Sequence, residues 1–182
     1  NAKGVNQDYQ EAIKWLKLAA EQGDIKAQSH LGVMYSNGEG VKQDYQEAIK
    51  WFKLVAEQGS ALGQYNLGVM YSNGMGEKQD YQKAFKWYKL AAEQGHTSAQ
   101  YNLGNMYYNG REIRQDYQEA IKWYKLAALQ GEIKAQSYLG DMYYNGLGIR
   151  QDYQEAFKWY KLAAEQGLTS AQYNLGVMYY DG

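Results

Sequence analysis

The chain contains no cysteine, so neither a disulfide framework nor a thiolate metal site can form, and cysteine usage assigns no redox compartment. Stability has to come from packing. Nor is there an excess of one charge: 19 basic and 20 acidic residues leave a net charge of -1, with no global field to gather a phosphate backbone or an anionic membrane surface. Nucleic acid is therefore not an expected partner. No apolar run approaches the roughly 20 residues that span a bilayer, and no secretory signal is present, which leaves cytoplasmic, periplasmic and secreted locations all open. The two histidines, His30 and His96, have no Cys or His partner at metal-ligand spacing, so no metal and no cofactor are expected. Nucleophile elbow, phosphate loop and HExxH are all missing, and the glycines recur as turn residues rather than as a GxGxxG after a strand. Glu11 and Glu119 each precede a lysine by three residues on an exposed helix face, which reads as capping and ion pairing rather than acid-base catalysis. A non-enzymatic role is expected.

What the chain does have is repetition. Trp15, Trp51, Trp87, Trp123 and Trp159 stand 36 residues apart, and "QDYQ" recurs on the same interval from Gln7, Gln43, Gln79, Gln115 and Gln151. A fixed period in this range means a solenoid, propeller or array. In residues 24 to 59, Ala27, Leu31, Met34 and Tyr35 fall on one face of a first helix, which Asn37 and Gly38 stop. A second helix opens at Asp44, with Glu47 placed to complete a capping box that Lys83 breaks once. Its broad apolar face runs through Tyr45, Ala48, Ile49, Trp51, Phe52, Val55 and Ala56, and Gln58 and Gly59 end it. Neither helix buries its apolar face alone, so the units must stack. The fold class is all-α, a solenoid of 36-residue helix-turn-helix repeats in one domain, 1–182: half repeat 1–23, full repeats 24–59, 60–95, 96–131 and 132–167, half repeat 168–182. Beginning in mid-repeat at Asn1, with no polar capping helix at either end, the chain reads as processed or as a fragment.

The pattern "AxxxLGxMYxxGxG" followed by "DYxxAxxWYxxAAxQG" resembles the Sel-one-like repeat (SLR) family, relatives of the tetratricopeptide (TPR) repeats, over nearly the whole chain. The resemblance implies a right-handed superhelix of antiparallel helix pairs and an adaptor or scaffold role through a concave groove lined by the first helices. Departures are Gly63 for the usual Ala, Glu112 for the second loop glycine, and no proline anywhere. At Glu112 the backbone must either avoid positive φ or accept strain.

Copies of one unit allow a comparison within the chain. On the first helix the Ala, Gln, Leu, Gly, Met and Tyr columns occupy one arc and form the packing face, with Gly32, Gly68, Gly104, Gly140 and Gly176 allowing close approach. The opposite arc varies and keeps aromatic and amide side chains where free drift would bring in Lys and Glu. In "AQYNLGNMYYNG", Tyr101, Asn102, Asn105, Tyr108 and Asn109 are expected to share an exposed strip. The candidate ligand-binding residues are Tyr65, Tyr101, Tyr108, Tyr144 and Tyr173 as apolar anchors, with Asn66, Asn102, Asn105 and Asn174 as hydrogen-bonding groups. In TPR relatives asparagines flanking the Leu-Gly pair bind extended peptides, and Asn66, Asn102, Asn174 and Asn105 match those columns; basic residues for a carboxylate clamp are not in place. The five tryptophans read as core rather than as base-stacking platforms.

The expected partner is a protein or peptide. Rival readings are a carbohydrate or envelope-polysaccharide scaffold, a β-lactam hydrolase of the kind linked to cysteine-rich SLR proteins, whose disulfides this chain lacks, and end-to-end self-association. Near-identical copies such as "TSAQYNLG" at 97 and 169 point to recent duplication or consensus engineering.

Overall fold

The computed structural model describes residues 8–182; Gln7 and the opening of the half repeat 1–23 lie outside them. Among the described residues there are ten α-helices and no strand: α1 (Tyr9–Glu21), α2 (Ile25–Asn37), α3 (Tyr45–Glu57), α4 (Ala61–Asn73), α5 (Tyr81–Glu93), α6 (Thr97–Asn109), α7 (Tyr117–Leu129), α8 (Ile133–Asn145), α9 (Tyr153–Glu165) and α10 (Thr169–Asp181). Even-numbered helices are the first helices of the repeats and odd-numbered helices the second.

Each boundary has a side-chain cause. Asp8, Asp44, Asp116 and Asp152 accept from the N–H groups two and three residues ahead at 3.0 to 3.1 Å, which satisfies donors of the first turn. The capping box is only half formed. The N–H of Asp44 donates to the Tyr35 carbonyl at 2.9 Å, so Glu47 has nothing to reach back for and pairs with Lys50 instead. Asp80, with Lys83 in the glutamate place, still caps α5 by accepting from Lys83 N at 2.8 Å. The first Gln of "QDYQ" explains its own recurrence. Gln43 Nε2 donates to the Ser36 carbonyl and the Tyr45 hydroxyl, and Gln79 and Gln115 repeat both bonds at their own loops. First helices end on left-handed glycines, Gly38, Gly74, Gly110 and Gly146, at φ 65 to 75°. Of the two alternatives for Glu112, the chain takes the strained one, φ 53°.

The chain divides into two compact units, Asn1–Trp87 and Tyr88–Gly182, the boundary falling within α5. In the first unit α2 packs on α1 and α3, and α3 on α4. Its core joins Ile13 and Ala20 of the half repeat to Ala27, Leu31, Met34 and Trp51 of the repeat 24–59. In the second unit α6 to α10 pack in succession, with Tyr124, Leu139 and Met142 buried among alanines and Trp159 laid against them. Trp51 and Trp123 are thus core residues and Trp87 and Trp159 are half-buried, whereas Trp15 is 62% exposed, with no earlier helix pair among the described residues to receive it.

Two devices set the helix spacing. A Cβ added at Gly32, Gly104 or Gly140 would lie 2.5 to 2.6 Å from a ring atom of Phe52, Tyr124 or Tyr160 respectively, so the first helix approaches the second as closely as a glycine permits. The other device is a buried carboxamide chain. Gln28 donates to the Ala20 carbonyl at 2.9 Å and accepts from Gln58 at 2.7 Å; Gln100 with Ala92 and Gln130, and Gln136 with Ala128 and Gln166, repeat the arrangement. These amides occupy carbonyls that a helix end leaves without an intrahelical partner.

Candidate interaction surface on the first helices

In the second unit the variable arc of α6 and α8 is not a row of free side chains. Tyr101, Asn102, Asn105 and Tyr108 are half-buried and only Asn109 is exposed. The reason is mutual packing. Tyr108 meets Tyr138 and Tyr117 edge-on at 5.5 Å, Tyr101 lies 6.1 Å from Tyr124 and 6.2 Å from Tyr138, and Tyr124 stacks on Tyr138 at 5.2 Å with the planes 9° apart. The cluster rests on the α7–α8 core. Such pairs add about 1 kcal/mol each beyond their buried area, so Tyr101 and Tyr108 carry fold as well as surface.

Wheel analysis of separate helices missed the contribution of the second helices. Tyr124 is fully buried, yet its hydroxyl reaches the arc of α6 and donates to Asn105 Oδ1 at 2.7 Å. One repeat on, the Tyr160 hydroxyl donates to Asp141 Oδ1 at the same 2.7 Å. Burial pushes both phenols far above their ordinary pKa, so both act as fixed donors. Asn105 therefore spends its carbonyl oxygen inside the protein. A partial signal was available: the repeats with Asn105 and Asp141 carry Tyr124 and Tyr160 and the repeat with Val33 carries Phe52, although the repeat with Val69 also carries a tyrosine, Tyr88. The asparagines at the ends of these helices also have internal work, since Asn109 and Asn145 each donate to the carbonyl four residues back at 2.8 Å.

A cleft of about 250 Å³ brings Tyr144, Tyr173 and Asn174 together with Asp141 and Tyr160. Tyr173 is 72% exposed and Tyr144 half-buried, its ring edge-on to Tyr153 at 5.2 Å. Asn174 Nδ2 donates to Asp141 Oδ1 at 3.4 Å. Burial raises the Asp141 carboxyl above the usual carboxylate range, with the Tyr160 hydrogen bond acting in the opposite direction.

In the first unit Tyr65 and Asn66 are half-buried on α4, and a separate shallow cleft is lined by Ile25, Lys26, Ser29, His30, Val33 and Leu62. His96 is an N-cap: its Nδ1 accepts from Ala99 N at 3.3 Å, and burial lowers its pKa. Among the described residues no group of three or more His, Cys, Asp and Glu side chains could hold a metal ion, and no helix is long and apolar enough to cross a membrane.

The family model described as Sel1 repeat matches residues 1–24, 25–60, 61–96, 97–132, 133–168 and 169–182, and the chain belongs to that family. Among solved structures it is similar to a protective antigen, displaying an SLR fold, present in uropathogenic Escherichia coli strains, with 43% identity, TM-score 0.95, and coverage of 98% of this chain and 38% of that one. It is also similar to a Sel1 repeat protein from Oxalobacter formigenes, with 40% identity, TM-score 0.85, and coverage of 97% of this chain and 72% of that one. The cysteine-rich protein B of Helicobacter pylori shares the fold at 22% identity and TM-score 0.58, over 76% of this chain and 100% of that one. No curated protein sequence matches the chain. Sel1 repeats generally serve as protein-interaction scaffolds without enzymatic activity.

Proposed function

We propose that the chain is a non-enzymatic adaptor that holds a protein or peptide ligand on the face formed by its first helices. The observation that carries this reading is the surface of the second unit, where half-buried and exposed tyrosines stand beside amides in and around the cleft of Asp141 and Tyr173. Tyrosine gives a large rigid contact area with a polar tip, and asparagine offers both a donor and an acceptor to a peptide backbone. In this role Tyr144 and Tyr173 are the accessible anchors of the second unit and Asn102 and Asn174 its hydrogen-bonding groups, while Tyr101, Asn105 and Tyr108 shape the surface through their internal contacts. Tyr65 and Asn66 are the corresponding candidates in the first unit.

The test is affinity capture from a source lysate with the native chain and an Asn102→Ala/Tyr173→Ala variant, followed by titration of the captured polypeptide as purified fragments. Both substitutions lie off the buried core, so the circular dichroism of the variant should match the native spectrum. A polypeptide held by the native chain and lost by the variant supports the reading. An identical retained set for both overturns it. Retention on a glycan array with no polypeptide captured would favour the carbohydrate reading.

A further inference from the structure

The cleft between α8, α9 and α10 has a negative group at its base and aromatic rings around it. It is lined by Asp141, Tyr144, Tyr160, Tyr173, Asn174 and Val177, and among the described residues no lysine or arginine lines it. The side-chain hydrogen bonds from Tyr160 and Asn174 both go to Asp141 Oδ1, and among the described residues no side chain donates to Oδ2. A half-buried carboxylate with no cation to offset it is costly, and its charge is felt widely. After burial, the Asp141 charge is among the causes that raise the phenol pKa values of Tyr108, Tyr124, Tyr138 and Tyr160. Tyr144 and Tyr173 line the same cleft, and an aromatic ring offers a cation the negative side of its quadrupole.

The fold demonstrates that this position has no structural need of a charge. Asn105 holds Tyr124 at 2.7 Å in the same way that Asp141 holds Tyr160 at 2.7 Å. An amide accepts the tyrosine hydroxyl equally well, so the carboxylate is surplus to the packing.

We propose that this cleft takes a cationic side chain, lysine or arginine, of a bound polypeptide, with Asp141 Oδ2 accepting from the ammonium or guanidinium group and Tyr144 and Tyr173 flanking it. The inference rests on the polypeptide reading of the first-helix face and adds its charge preference. A negative carboxylate repels an anionic group, and a neutral side chain leaves its charge unmatched.

The test uses small probes and the intact chain. N-acetyl-arginine amide and N-acetyl-lysine amide are titrated into isotopically labelled protein and followed by NMR, with the citrulline and norleucine amides as neutral shape-matched controls. The cationic probes should shift the backbone amides of Asp141, Tyr173 and Asn174 saturably, with an apparent affinity about tenfold above the neutral controls. Asp141→Asn keeps the acceptor for Tyr160 and should bring the cationic probes down to the neutral level with the rest of the spectrum unchanged. Equal binding of citrulline and arginine amides, an Asp141→Asn variant that binds as well as the native chain, or no shift at the cleft would each overturn the proposal. Because the probes need no polypeptide on the surface, any of these leaves the adaptor reading standing. A cleft that selects arginine amide in a chain that captures no polypeptide would overturn the adaptor reading instead.

Discussion

The α2–α3 pair of the first unit and the α6–α7 pair of the second are built on one plan and finished in different chemistry. In both, a glycine of the first helix receives the aromatic ring of the second, Gly32 against Phe52 and Gly104 against Tyr124. In the first pair the ring has no hydroxyl, and Val33 occupies the place of Asn105. In the second, Tyr124 extends past the glycine to Asn105, and its hydroxyl brings a polar group from the second helix to the surface of the first. The clefts differ as well: Ile25, Val33 and Leu62 line one with Lys26, His30 and Glu39, and tyrosines with Asp141 line the other. Two positions nineteen residues apart therefore set the character of the face while the backbone frame stays constant.

The frame itself should break most readily at the glycine. Gly104→Ala and Gly140→Ala place a methyl group within 2.6 Å of a buried ring, and each is expected to cost about 2 to 3 kcal/mol. Gly176, in the same column of α10, has nothing within 4 Å of an added Cβ, so Gly176→Ala should be neutral or stabilising by up to about 1 kcal/mol. Chemical denaturation of the three variants checks the contrast. Equal effects at the three positions would show that the glycines are not spacers.

The loops offer a second contrast, between one repeat and the other three. Gly40, Gly76 and, in the second unit, Gly148 take positive φ at this loop position, and Glu112 alone among the four takes it without being a glycine, at 53°. Glu112→Gly should raise stability by about 1 kcal/mol, read as a higher denaturation midpoint. The finish can be exchanged as well. Tyr124→Phe removes one buried hydrogen bond and should cost about 1 kcal/mol, and adding Asn105→Val, the combination found at Phe52 and Val33, should recover most of it. A double-mutant cycle with no coupling would refute the pairing.

The smallest effects are in pH dependence, and two groups act with opposite sign. Because burial raises the Asp141 carboxyl, its contribution to stability is full in acid, below the ordinary carboxylate range, and is lost as pH rises through the raised value. Asp141→Asn should therefore melt higher than the native chain at neutral pH, with the difference vanishing in acid. His96 is lowered by burial and caps α6 as the neutral imidazole, so its contribution is present above the ordinary histidine range and is lost as pH falls. His96→Ser should flatten the mildly acidic limb of a melting profile.

Most of the frame was legible in the sequence because each of its parts is local. The 36-residue period, the aspartate caps, the stop glycines and the core columns depend on neighbours within one or two turns, and each stands where the pattern placed it. The capping box failed on a longer contact, the Tyr35 carbonyl that takes the Asp44 N–H first. The candidate surface was legible only in outline. A helical wheel assigns residues to a face of one helix and says nothing of a phenol arriving from another, so it puts the column of Phe52, Tyr124 and Tyr160 on the apolar face of the second helix and leaves Asn105 open to a ligand. Finding them required pairing columns between helices.

The carboxamide chain has a consequence for how such an array can change over generations. Gln28, Gln100 and Gln136 each use the amide nitrogen to close the helix before and have the oxygen closed by a residue thirty positions further on. A whole repeat inserted or deleted leaves every donor facing an acceptor. A single residue inserted within that span shifts one partner by about 100° around its helix and strands the buried amide of the other. Gain or loss of copies is thus a mild alteration for this architecture, and a one-residue slip a severe one.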